Sequence, residues 1–139
     1  KILCLDDSGI TRQNLEMILT QEIPNATVTM YGKDPADVEE FKRDALAKGD
    51  ILILDEHVDL PGPELRGSAI LQELVADGYQ GFACIRSGDS TDADKVRSYK
   101  SGAHWHVGKE VRVRDMVSQL RKEYKKFKGK GMIELHEEP

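Results

Sequence analysis

The stretch Ile51-Leu52-Ile53-Leu54-Asp55 sets four aliphatic residues ahead of a single carboxylate, and a Pro/Gly-rich segment, 56–67, follows it. A short unbroken apolar run of this kind reads as a central parallel strand buried on both faces, with its carboxyl end opening into a crevice. Open α/β sheets bind their ligands at such ends, so Asp55 is a candidate for chemistry rather than packing. Three other strand-like runs also finish on reactive groups. Residues 1–5 lead into Asp6 and Asp7, 81–86 into Ser87 and Gly88, and 103–108 into Lys109. One parallel sheet would bring all four ends to a common edge, with two carboxylates, a hydroxyl beside a glycine and an ammonium around Asp55.

Outward from that strand, helical and extended patterns alternate. Ile10, Leu15, Ile18, Leu19 and Ile23 form the stripe of an amphipathic helix over about 9–22, with Ser8 as its N-cap. Val28 and Met30 alternate with Thr27 and Thr29, as in a strand near a sheet edge. Asp34 as cap and Pro35 in the first turn open a second helix that turns Val38, Phe41 and Ala45 inward. Pro61, Gly62, Pro63 and Gly67 put too many breakers into 56–67 for regular structure. A third helix from Ser68 to about Asp77 carries Ile70, Leu71, Leu74 and Val75. A fourth, about 91–101, has only Ala93, Val96 and Tyr99 to turn inward. A last helix, about 111–127, presents Val113, Met116, Leu120, Tyr124 and Phe127. The tally is (βα)5 in one domain, with right-handed crossovers laying helices on both faces of a doubly wound parallel sheet.

The chain has 139 residues, enough for one core and too few for a second domain. Its net charge of −5 argues against a nucleic-acid surface, which needs a basic stripe. The cations from Arg121 to Lys130 read as the solvated face of the last helix, running into a charged tail or linker over 128–139. Cys4 and Cys84 lie within apolar runs and read as buried thiols of a reducing compartment. No apolar stretch reaches the roughly 20 residues of a membrane span. The expectation is a soluble, cytoplasmic protein, cut from a longer chain because residue 1 stands directly on a strand.

A hard divalent cation such as Mg2+ takes oxygen ligands and keeps several waters, so carboxylates converging from different strands can hold it. Asp6, Asp7 and Asp55 supply them. His104 and His106 suggest zinc, but two imidazoles without a further ligand leave that reading weak.

The set Asp6-Asp7, Asp55, Ser87-Gly88 and Lys109, at the ends of the first, third, fourth and fifth strands, resembles the signature of a two-component response-regulator receiver domain. The resemblance covers about residues 1–127. It implies a flavodoxin-like sheet of strand order 2-1-3-4-5, with Asp55 as phosphoacceptor. Asp7, Asp55 and the backbone carbonyl of His57 would ligate Mg2+, and Asp6 would act through metal-bound water. Lys109 and Ser87 would contact the phosphoryl group, and Gly88 would leave it room. Ser87 and His106 would form the switch, His106 standing where the family has an aromatic residue.

Its implied partners are a histidine kinase or a histidine phosphotransfer protein, with a possible homodimer through the fourth helix, fifth strand and fifth helix, and neither nucleic acid nor membrane. The parent chain could be a hybrid histidine kinase or a multidomain regulator. His57, two residues past Asp55, would modulate dephosphorylation. Two departures stand out: residues are inserted after Asp55, and Glu110 replaces the usual proline after the lysine, leaving open whether the Lys109 peptide is cis. They keep a second reading in play, a pseudo-receiver serving as a phosphorylation-independent interaction module. A haloacid-dehalogenase-like phosphohydrolase fits less well, because Asp6-Asp7 lacks the spaced Asp-x-Asp pattern.

Overall fold

A computed structural model describes the backbone of residues 1–137 and the side-chain surroundings of 1–130. Strands β1 (Ile2–Leu5), β2 (Val28–Tyr31) and β3 (Ile51–Asp55) alternate with helices α1 (Gly9–Glu22) and α2 (Ala36–Lys48). A short pair, β4 (His57–Val58) and β5 (Leu65–Arg66), precedes α3 (Gly67–Ala76). Then come β6 (Phe82–Ser87), α4 (Asp92–Lys100), β7 (Trp105–Gly108) and α5 (Val113–Glu137). The main sheet is parallel and ordered β2-β1-β3-β6-β7. Counted along the main sheet alone, this is the expected 2-1-3-4-5 order.

Alternation along the strands divides the core into two layers. Leu3, Leu5, Leu52, Leu54, Ala83 and Ile85 meet Phe41 and Ala45 of α2 and Ile70, Leu71 and Leu74 of α3. Cys4, Ile53, Cys84, Trp105 and Val107 meet Leu15 and Leu19 of α1 and Met116, Val117 and Leu120 of α5. The central strand β3 is buried at every position, as its unbroken apolar run requires. Ser8 caps α1 by accepting the Thr11 N–H.

Several expectations are corrected. Asp34 does not cap α2. Pro35 is already helical at φ −56°, and the Asp37 carboxylate reaches back instead to the N–H groups of Gly32, Lys33 and Asp34. The segment after Asp55 is not irregular throughout: its breakers gather at 61–63, which leaves His57-Val58 free to pair antiparallel with Leu65-Arg66. Buried Val58 then ties this hairpin to the core. Ile10, expected inward, is 82% exposed, because the first turn of α1 stands at the rim above the strand ends. On α4 the inward residue is Ser98, whereas Ala93, Val96 and Tyr99 face solvent. The helix lies against edge strand β7, which offers it only a narrow strip. Finally, α5 continues helically past its expected end near residue 127 to Glu137, and residues 138–139 lie outside the described residues.

Candidate functional site

Parallel register aligns the ends of the three inner strands. Leu5 is level with Leu54, and Asp55 with Arg86, so Asp6, Asp55 and Arg86 stand in one row across β1, β3 and β6. Each falls on the side of the sheet covered by α1 and α5, because each lies two residues past a side chain in that layer, Cys4, Ile53 and Cys84.

Asp6, Asp7 and Asp55 offer oxygen atoms that all lie within 4.8 Å of one another. At that separation two carboxylates repel by about 3 to 4 kcal/mol at an effective dielectric of 20 and by about 1 kcal/mol in bulk water. Lys109 Nζ stands 2.8 Å from Asp55 Oδ1 as an ion pair, and among the described residues both buried Asp55 oxygens lack a well-formed hydrogen bond. Burial pushes the Asp55 carboxyl up from 3.8 to about 6, Lys109 opposing the shift and Asp6 and Asp7 adding to it. Burial also raises Asp6, against the pull of the Ser8 N–H and of Lys109 and Arg86. Carboxylates from three residues converging on one point, with both Asp55 oxygens buried and unsatisfied, are a donor set suited to a hard divalent cation. The grouping found among the described residues is this one, and His104 and His106 do not converge. His104 accepts the Ala83 N–H and stacks on Phe82, whereas His106 turns toward α4.

The other expected residues gather at the same edge. Ser87 is buried at the end of β6, its hydroxyl accepting the Asp89 N–H while its carbonyl accepts the Lys109 N–H. Nothing lies within 4 Å of the place a Cβ would take on Gly88, so that residue borders open space. His106 is buried with Nδ1 2.7 Å from Ser98 Oγ and Nε2 3.4 Å from Ser90 Oγ. His57 Nε2 lies 3.5 Å from Asp89, linking the hairpin to the loop after β6. The Lys109–Glu110 peptide is trans.

Four features of the site were not read from the sequence. Arg86 carries a guanidinium 3.8 Å from Asp6 Oδ2, its side chain 9% exposed and its Nε without a partner among the described residues. An arginine closing the otherwise apolar run 82–85 was the signal for it. Arg12 donates to the carbonyls of Asp6 and Gly32, fastening the ends of β1 and β2. Glu56, next to Asp55, is buried and accepts both the backbone N–H and the hydroxyl of Ser68. It thereby satisfies the first turn of α3, whose N-cap residue Arg66 makes no side-chain cap. The Asp7 carboxylate also accepts the Asp59 N–H, which moors the inserted segment to the acidic cluster. Close approach makes Gly67 obligatory here: a Cβ on it would come 2.3 Å from the Asp55 carbonyl oxygen.

No protein-family model matches the chain. Over 129 residues, 93% of its length, it is 23% identical to the cell cycle transcriptional regulator CtrA of Caulobacter vibrioides. The alignment spans about half (52%) of that protein. Among solved structures, the CheY-like response regulator receiver domain protein of Methanospirillum hungatei JF-1 superposes with a TM-score of 0.73 at 17% identity, covering 93% of this chain and 96% of that one. The receiver domain protein of Clostridium thermocellum gives 0.71 at 22% identity over 91% and 95%. The signal receiver domain of a DNA-binding response regulator from Colwellia psychrerythraea 34H gives 0.73 at 20% identity over 87% and 94%. The sheet order, the two helical layers and these superpositions together give the chain the fold of response-regulator receiver domains.

Proposed function

We propose that this chain is a phosphoacceptor receiver domain of a two-component phosphorelay, taking a phosphoryl group from a phosphohistidine onto Asp55. The observation that carries the reading is the convergence of Asp6, Asp7 and Asp55 within 4.8 Å, with Lys109 Nζ 2.8 Å from an Asp55 carboxylate that accepts no well-formed hydrogen bond among the described residues. Transfer of a phosphoryl group asks for in-line placement and charge neutralisation more than for covalent machinery. An Asp55 oxygen attacks phosphorus as the bond to the donor imidazole nitrogen breaks. Lys109 offsets charge on the transferred oxygens, and the Ser87 hydroxyl donates to them. Asp7, Asp55 and the His57 carbonyl would hold Mg2+, with Asp6 acting through its water. The ion supplies electrostatic stabilisation of the phosphoryl oxygens when bound.

Ser87 and His106 would relay the modification to α4 through the bond from His106 to Ser98. His57, held near Asp89 at the mouth, would govern access of water to the acyl phosphate, and a lifetime unchanged in His57→Ala would remove it from that role. The donor would be a histidine kinase or phosphotransfer protein, and the relatives' greater length is consistent with a receiver joined to further domains. Incubation with acetyl phosphate, with and without Mg2+, followed by intact-mass measurement tests the proposal. A Mg2+-dependent mass gain abolished by Asp55→Asn is expected. The inserted hairpin moored to Asp7 favours a second reading, an interaction module that is not phosphorylated, and absence of any mass gain would select it.

A further inference from the structure

The acidic cluster contains a cation of its own. Arg86 is the cross-strand partner of Asp55 on β6, yet its guanidinium lies near Asp6 just past the end of β1, so the side chain reaches past the intervening strand β3. Its contact with Asp6 is incomplete. Nη1 stands 3.8 Å from Oδ2, where a forked arginine–carboxylate pair closes to about 2.8 Å with two parallel hydrogen bonds. Nε is buried with no acceptor among the described residues, and Asp6 gives its other oxygen to the Ser8 N–H. A buried guanidinium in this condition is held by the field of the carboxylates rather than by hydrogen bonds, and that field is the one a divalent cation would use.

We propose that Arg86 is a resident counter-charge that contests Asp6 with the divalent cation, weakening metal binding at this site. The inference rests on the reading of Asp6, Asp7 and Asp55 as a metal site and concerns how that site is tuned. Three carboxylates balanced by Lys109 alone would leave a pocket of two net negative charges. Arg86 reduces this to one and places positive charge against one of the acids around the ion. Metal entry therefore requires Asp6 to exchange the guanidinium for the ion or its water. The guanidinium cannot give up its proton to relieve the conflict.

Calorimetric titration of Mg2+ into the 139-residue chain, paired with Mn2+ binding by electron paramagnetic resonance, tests this in native protein, Arg86→Met and Arg86→Gln. Removal of the guanidinium charge should tighten binding of both ions about tenfold or more. The glutamine variant keeps a polar group in the cavity, so the comparison stands if the methionine variant does not fold. Asp6→Asn should cost more metal affinity in the Arg86→Met background than in the native one, a coupling that a merely structural arginine would not produce. Dissociation constants within twofold of native in the Arg86 variants, or additive effects of the Asp6 and Arg86 substitutions, would overturn the inference and leave the receiver reading intact. Absence of ion binding in every variant, together with no acetyl phosphate labelling, would overturn both.

Discussion

Replacing Asp55 by asparagine should stabilise the metal-free protein. In the unfolded chain this carboxyl titrates near 3.8, and in the folded protein burial and the neighbouring Asp6 and Asp7 hold its proton to about 6. Between those values the native state binds more protons than the unfolded one. Stability therefore falls as pH rises from 3.8 to about 6, and the full penalty is present above that range. A displacement of this size corresponds to about 3 kcal/mol. Asparagine keeps the volume and removes the charge, at the expense of the contact with Lys109, whose side chain is 37% exposed and can turn to water. The net gain expected is about 1 to 3 kcal/mol at about pH 8 in chelator, shrinking to nothing below about pH 4.

Urea unfolding of native protein and Asp55→Asn, followed by circular dichroism across this pH range, measures it. Saturating Mg2+ should reverse the order, because an ion that binds only the folded native protein stabilises that protein alone. An Asp55→Asn variant less stable than native at about pH 8 without metal, or a difference indifferent to pH, would refute the electrostatic reasoning.

Two further outcomes concern the supports of the site. Glu56→Ala should lower stability by about 1 to 3 kcal/mol, because it strips the buried N–H and hydroxyl of Ser68 of their acceptor, with Glu56→Gln losing less; urea midpoints within experimental error of native would contradict it. Asp37→Asn should cost about 0.5 kcal/mol near neutral pH, a small figure because the carboxylate is only partly buried. Slight burial raises the Asp37 carboxyl but the N–H bonds from Gly32, Lys33 and Asp34 lower it more, so the native advantage is present above 3.8 and disappears as pH falls through the lowered value. A gap that widened on acidification would exclude this assignment.

Most of the fold was legible in the chain because parallel strands buried on both faces leave a strong trace. The runs at 2–5, 51–54 and 82–85 are apolar without alternation, and a sheet of such strands must gather their carboxyl ends at one edge. The candidate site was legible for the same reason: Asp6, Asp7, Asp55, Ser87 and Lys109 each follow or close a strand, so strand assignment alone brings them together. Periodicity was a poorer guide where an element is short or lies at a margin. The apolar positions of α4 and the first turn of α1 point to solvent, since hydrophobic spacing tells which residues share a face and not whether anything covers it.

What the amino-acid sequence determined by itself is the alternation of elements and the inventory of reactive groups at one sheet edge. Both are local properties, readable from residues a few positions apart. The tertiary structure alone decided how the charges are shared. The reach of Arg86 past β3 to Asp6, the hold of Glu56 on Ser68 and of Asp59 on Asp7, and the turn of His106 toward Ser98 join residues from 8 to 80 positions apart. Such contacts follow from the order and register of neighbouring strands, and electrostatic energy depends on the distances these set rather than on separation along the chain.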